Sequence, residues 1–352
     1  MSSVAHPLRR AFAEQAGHCR RIGSEFTALL CDVFPACLET ASAVIGRMLD
    51  WPGDPAPLAD NVPLRVAGAM HAIARSREVP ALTAVYPPNP PPTPAALTSA
   101  LVEALLACPD VLGTYLDSPP QTNEVGRSAP LLAGWLEVAR RTGLPLSLYE
   151  IGASAGLNLM ADRYGYRFGP SRWGRDSATP VLSPDWAGPP PAIDTELSIN
   201  SRHGCDRSPV DLASAVERER LITYVWPDQG ERLARLEAAI ATARANPPVI
   251  DRADAAAWVR ERIGVTALAG TARLLFHSIV WQYLPAATQE GISEHIAAVT
   301  RAARSDAAFA WLRFEMNGDQ SATELRLKLW PGGEDRLLAV SHAHGSWVRW
   351  VG

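Results

Sequence analysis

Leu146-Ser-Leu-Tyr-Glu-Ile-Gly-Ala-Ser-Ala-Gly-Leu-Asn158 joins a short apolar run to a glycine turn and leads straight into Leu159-Met-Ala-Asp-Arg163. Leu146, Leu148 and Ile151 are strand-type residues, Gly152 and Gly156 permit backbone conformations and close approaches that a Cβ blocks, and Leu157 to Arg163 has helical character. The order strand, tight turn, helix sets the N-terminus of a helix, with its free amides and positive dipole end, at the carboxyl edge of a sheet. Open α/β sheets bind their ligands there.

The letters of the turn admit more than one chemistry. Glu150-x-Gly152-x-Ser154-x-Gly156 resembles the first motif of class I S-adenosylmethionine-dependent methyltransferases, acidic-x-Gly-x-Gly-x-Gly at the end of the first strand, with Ser154 in place of the middle glycine. Gly152-Ala-Ser154-Ala-Gly156 also fits the G-x-S-x-G nucleophile elbow of α/β-hydrolases, likewise a strand-turn-helix. The dinucleotide fingerprint G-x-G-x-x-G is satisfied in no register.

With 352 residues, 47% of them hydrophobic and 20% charged, the chain can bury a full core in one large domain or two. A net charge of -4 and the lack of any long basic run argue against nucleic acid as a partner. Five cysteines without C-x-x-C spacing or a neighbouring histidine cluster indicate neither a zinc site nor a disulfide framework. The N-terminus lacks the apolar core of a signal peptide, and no segment reaches the apolar length of a membrane span. The expectation is a cytoplasmic protein with a small-molecule partner, no metal, and neither nucleic acid nor membrane; oligomeric state is not legible.

Outward from the turn, the preceding 143 residues read as helical: Leu8 to Phe34, Ala36 to Leu49, Val62 to Ala74, then, past the proline cluster Tyr86 to Pro94, Ala95 to Ala107. Gln121-Thr-Asn-Glu-Val-Gly-Arg127 precedes a helix that Gly143 can end. Thr122, Asn123 and Glu124 serve either as a capping cluster or as polar groups over the sheet edge, with Glu124 a candidate base or substrate anchor. After the turn, Tyr164 to Asp194 is rich in Gly, Pro and Trp and reads as an insertion at about 164–195, with a hairpin of Tyr166–Phe168 and Val181–Ser183.

Further strands are predicted at Leu197 to His203, after Pro248, at Arg273 onward, and at Ala308 to Glu315, with a final antiparallel hairpin of Glu324–Trp330 and Arg336–His342. Asp206, with Asp211 second, stands where nucleoside-binding sheets grip ribose hydroxyls, although turn or cap roles account for both. Asp254-Ala255 matches the acidic-Ala step that ends the third strand of the methyltransferase fold, and Asp254 is equally suited to an N-cap. His277, Trp281, Gln282 and Tyr283 follow the next apolar run, where that fold meets the methyl acceptor. The loop Met316 to Thr323 looks too short for the usual helix between the fifth and sixth strands.

GASAGLN, GCDxxPVD, VWPDQ, FHSIVWQYLP and the final HxHGxW together resemble a family of uncharacterised bacterial proteins known only as a domain of unknown function, a resemblance that brings no activity. The reading is therefore an α/β fold: a helical region over 1–143, then over 144–352 a Rossmann-like sheet of the class I methyltransferase type ending in an antiparallel hairpin. The resemblance to that class implies S-adenosylmethionine held by Glu150, Gly152, Ser154, Gly156, Asn158, Asp206, Asp254 and Ala255, with His277, Tyr283 or Glu124 facing a small-molecule acceptor. The rival enzyme is a serine hydrolase with Ser154 as nucleophile, Asp254 or Glu315 as acid and His342 or His344 as base. Against it, Glu150 would crowd a developing oxyanion, and the chain before Leu146 lacks the expected strands. A non-catalytic scaffold binding a nucleoside-type ligand or a protein partner is the third reading.

Overall fold

The computed structural model describes residues 6–352; Met1 to Ala5, which open the N-terminal stretch read as lacking a signal peptide, lie outside the described residues. The chain forms two compact units, Met1–Thr122 with Ser214–Ala234, and Asn123–Ala213 with Arg235–Gly352. Among the described residues no single helix is long and apolar enough to cross a membrane.

The first unit is helical: α1 (Pro7–Arg21), α2 (Glu25–Cys37), α3 (Ala43–Leu49), α4 (Val62–Ser76), α5 (Pro80–Val85), α6 (Pro94–Ala107) and α7 (Pro109–Leu116). The apolar stripes of these helices meet in one core, where Phe12 of α1 stacks on Phe34 of α2 at 4.8 Å. The run Leu8 to Phe34, read as one helix, is two, broken at Ile22–Ser24. The break explains the VWPDQ motif. Ser24 makes no capping bond to α2 with its own side chain, and Asp228 supplies it instead: its carboxylate accepts from Ser24 Oγ at 2.6 Å and from the Phe26 amide at 3.0 Å. A carboxylate there satisfies an orphan amide and faces the positive helix end. Asp228→Ala is expected to cost about 1–2 kcal/mol; an unchanged urea midpoint at an unchanged slope would show that this cap carries no stability.

The second unit holds α8 (Ser128–Thr142), β1 (Leu146–Ile151) and the small strands β2 (Gly165–Phe168), β3 (Ser171–Trp173), β4 (Val181–Leu182) and β5 (Asp185–Ala187). β6 (Ile199–Asp206) follows, then the excursion carrying α9 (Ala215–Thr223) to the first unit, α10 (Gly230–Ala245), β7 (Val249–Arg252), α11 (Ala255–Arg262) and β8 (Ala272–Ser278). The chain closes with α12 (Ala286–Thr300), β9 (Phe309–Met316), β10 (Thr323–Trp330), β11 (Asp335–Ser341) and β12 (Trp347–Trp350). These build one large sheet of order β5-β12-β11-β10-β9-β8-β1-β6-β7. The run β7-β6-β1-β8-β9 is parallel, β10, β11 and β12 join it as an antiparallel meander, and β5 pairs parallel with β12.

Several expectations change. The helix after the glycine turn is a six-residue 3-10 helix, Asn158–Arg163, because the hydroxyls of Tyr164 and Tyr166 take the carbonyls of Leu157 and Ala161, both at 2.7 Å. In the insertion, β2 forms its hairpin with β3, while Val181–Leu182 pairs with β2 in parallel. The loop after β9 holds no helix, as its length predicts: Asn317 Oδ1 accepts from the amides of Ser321 and Ala322, reversing the chain directly into β10 beside β9. β10 alternates buried and half-exposed residues, and α8 packs with the sheet unit, so that unit begins at Asn123, ahead of residue 144.

Candidate functional site

From β1 the chain steps to β6 and β7 on one side and then returns to β8 on the other, which makes the β1/β8 gap a topological switch point, with a crevice at the strands' carboxyl ends. Register sorts the polar side chains there. Glu150 pairs with Gly204 and Phe276, Ile151 with Cys205 and His277, so Glu150 and His277 point to opposite faces of the sheet.

On the face of Glu150, the carboxyl edge collects Asn123, Glu124, Arg127, Glu150, Ser154, Asn158 and Asp206. Glu150 is fully buried, with Oε2 lacking a hydrogen-bond partner; burial, reinforced by Asp206 and opposed by Arg127, holds its carboxyl well above the usual range. Ser154 is buried in a left-handed conformation (φ +52°), its Oγ also without a partner, while its amide donates to Asp206 Oδ2 at 2.9 Å. Asp206 Oδ1 accepts from the Ser208 amide at 2.8 Å. Asn123 Oδ1 accepts from the Leu157 amide at 2.9 Å, and Asn158 Oδ1 from Ser128 Oγ at 2.7 Å. The Leu157 amide, at the 3-10 helix start, therefore already has a side-chain partner. Glu124 Oε1 accepts from the Gly126 amide at 2.9 Å and lies 3.5 Å from Arg235.

The two turn glycines face protein. Gly152 has φ +69°, and a Cβ there would stand 2.5 Å from Val280 Cγ2; a Cβ on Gly156 would meet Pro248 at 2.7 Å and Ile250 at 2.8 Å. Asp254 caps α11, its Oδ1 accepting from the amides of Ala256 and Ala257 at 3.0 and 3.2 Å, and Ala255 is buried beside it.

The C-terminal loop that carries His342 and His344 reaches this edge. Arg127 donates to Ala343 O at 3.0 Å and to Ser278 O at 2.8 Å, and a Cβ on Gly126 would lie 2.2 Å from His344 O. Arg127, Arg235 and Ser278 were not singled out from sequence. An arginine in a polar segment or on a helix has no local signal of its partners.

On the opposite face, His277 is fully buried. Its Nε2 accepts from Trp311 Nε1 at 3.1 Å, so the ring is the Nδ1-protonated tautomer, and Nδ1 donates to Glu315 Oε1 at 2.5 Å. Glu315 Oε1 also takes the amides of Val280 and Trp281 at 3.1 and 3.3 Å. Tyr283 is 65% exposed and belongs to neither cluster. Ile279 before this loop is left-handed (φ +51°), a strained conformation for a β-branched residue.

No curated protein and no solved structure matches the chain. The chain belongs to the family described as uncharacterised proteins conserved in bacteria, DUF2332, whose model matches residues 9–350.

Proposed function

We propose that the protein is an S-adenosylmethionine-dependent methyltransferase acting on a small molecule, with the donor at the carboxyl edge between β1, β6 and β8. The observation that carries this is the buried pair of unpartnered polar atoms, Glu150 Oε2 and Ser154 Oγ, at the switch point of a parallel sheet. A buried acceptor and a buried hydroxyl without partners call for a polar ligand, since leaving them bare is costly. Donor and site fit at these atoms and at Asp206; they do not fit at Gly152 and Gly156, whose hollows hold Val280, Pro248 and Ile250.

Glu150, Ser154 and Asp206 would hold the donor's hydroxyl and amino groups, and the donor would supply an electrophilic methyl for in-line displacement. The chain's own work is then alignment and proton removal. Glu124, fixed by the Gly126 amide on the same edge, is the group suited to take a proton from the acceptor. His277, on the far face, is not. The hydrolase reading needs His342 or His344 as a base on Ser154 Oγ, yet that oxygen has no hydrogen-bond partner and His342 Nδ1 accepts from the His344 amide at 3.1 Å.

Calorimetry with S-adenosylmethionine and S-adenosylhomocysteine is expected to give saturable binding, weakened at least tenfold, about 1.4 kcal/mol, by Glu150→Ala. Absence of binding to both ligands in folded protein removes the reading, and labelling of Ser154 by a fluorophosphonate would restore the hydrolase.

A further inference from the structure

The face opposite Glu150 carries a second concavity, a cavity of about 180 Å³ lined by His277, Trp281, Trp311, Arg313, Glu315 and Arg326, among others. It is built from the outward residues of β8, β9 and β10, which alternation brings to one side. Trp281 stacks on His277 at 5.1 Å, and its ring centroid lies 5.4 Å from that of Trp311 at 58°, giving two indole walls set at an angle.

The charged side chains around it are not all paired. Arg313 pairs with Asp335 at 2.5 Å; Arg326 pairs with Asp335 at 3.2 Å and with Glu324 at 3.0 Å. Two guanidinium groups are thus matched by two carboxylates, and Lys328, on the same side of β10, lies over the Trp330 ring at 5.2 Å, not at Glu315. Glu315 remains. His277, its nearest basic neighbour, is the neutral tautomer, and the three donors that converge on Oε1 suit a carboxylate ion. Its other oxygen, Oε2, is buried without a partner.

A carboxylate oxygen without a partner beside two indole faces selects a cation: the ring quadrupoles attract positive charge, Trp most strongly, and the free oxygen asks for an N–H donor. Arg313 already covers Trp311 from 4.8 Å, an interaction of the same kind. We infer that this cavity is a binding site for a small organic ammonium, a protonated primary or secondary amine, whose N–H donates to Glu315 Oε2 while its alkyl or aryl part lies against Trp281 and Trp311. The site is separate from the donor edge, because it lies on the other face of the sheet, and it stands or falls independently of methyl transfer.

The test is calorimetry on the full chain with benzylammonium, benzyl alcohol, benzoate and tetramethylammonium. Benzylammonium is expected to bind saturably, and the other three at least tenfold more weakly. Glu315→Gln and Trp281→Ala should each reduce benzylammonium binding at least tenfold. Trp281→Ala keeps the test open if removing the Glu315 charge unfolds the loop. No saturable benzylammonium binding, equal binding of benzoate, or equal binding of tetramethylammonium, which has no N–H, would each overturn the proposal. So would undiminished binding in folded Trp281→Ala.

Discussion

Gly152→Val is expected to destabilise the sheet unit by roughly 3 kcal/mol or more, enough to leave much of the protein unfolded or insoluble. Two costs add. A left-handed backbone costs a residue with a Cβ about 1–2 kcal/mol, more when it is β-branched. Forcing side-chain atoms into filled space costs about 1–3 kcal/mol, and here the new Cβ would stand 2.5 Å from Val280 Cγ2. A double-mutant cycle separates them: Gly152→Ala in a Val280→Ala background should lose the clash with Cγ2 and retain the backbone cost with a tight 3.0 Å approach to the remaining Cβ. Equal penalties in both backgrounds would mean that Val280 does not occupy the hollow. The substitution is accordingly a test of folding, since a ligand has no room against Gly152 while Val280 is there.

Glu150→Gln is expected to flatten the pH dependence of stability and to raise the melting temperature above pH 7. Burial, with Asp206 adding to it, lifts the folded carboxyl well above its ordinary value. At pH below the ordinary carboxylate range both folded and unfolded forms keep the proton, and the buried neutral group contributes its full stability. As pH rises above that range the unfolded chain ionises first, the folded state binds more protons, and stability falls until the folded group itself ionises. An amide cannot ionise, so the variant escapes the loss. Parallel pH–stability curves for the two proteins would show that Glu150 is ionised or solvated in the fold. If the donor edge is as proposed, the same variant should also lose affinity for the donor, a trade of function for stability.

Periodicity and turn chemistry located the strands of the parallel run and the start of the final hairpin, because buried strands are apolar runs and Pro-Gly-Gly marks a turn. What they could not locate are side chains whose partners are remote in sequence. Tyr164 and Tyr166 looked like insertion residues, yet their hydroxyls end the helix that the glycine turn was expected to launch. Of the polar turn residues, Ser154 and Asp206 meet and Glu150 feels the charge of Asp206, while Asn158 turns to Ser128. His277 was placed with them because its strand ends nearby; a single step of register sends it to the opposite face, where Glu315 and Trp311 hold it. Asp254 had two roles open, and the structure shows the cap. Val280 in the hollow of Gly152 had no sequence signal at all.

Each unit is assembled from two separated stretches of chain, and this bears on the order in which a growing polypeptide can fold. Ser24 and Phe26 leave the ribosome some two hundred residues ahead of Asp228, which lies 204 and 202 positions further on. His71 likewise waits for Thr223, whose carbonyl lies 3.1 Å from its ring nitrogen. The N-terminal helices must therefore remain incomplete while β1 and β6 are synthesised, so the usual rule that the first domain made is the first to finish is reversed for part of this chain. A fragment ending at residue 122 is an unfinished product of translation, with a bare helix end and an open apolar core, and it is the species that chaperones would have to hold.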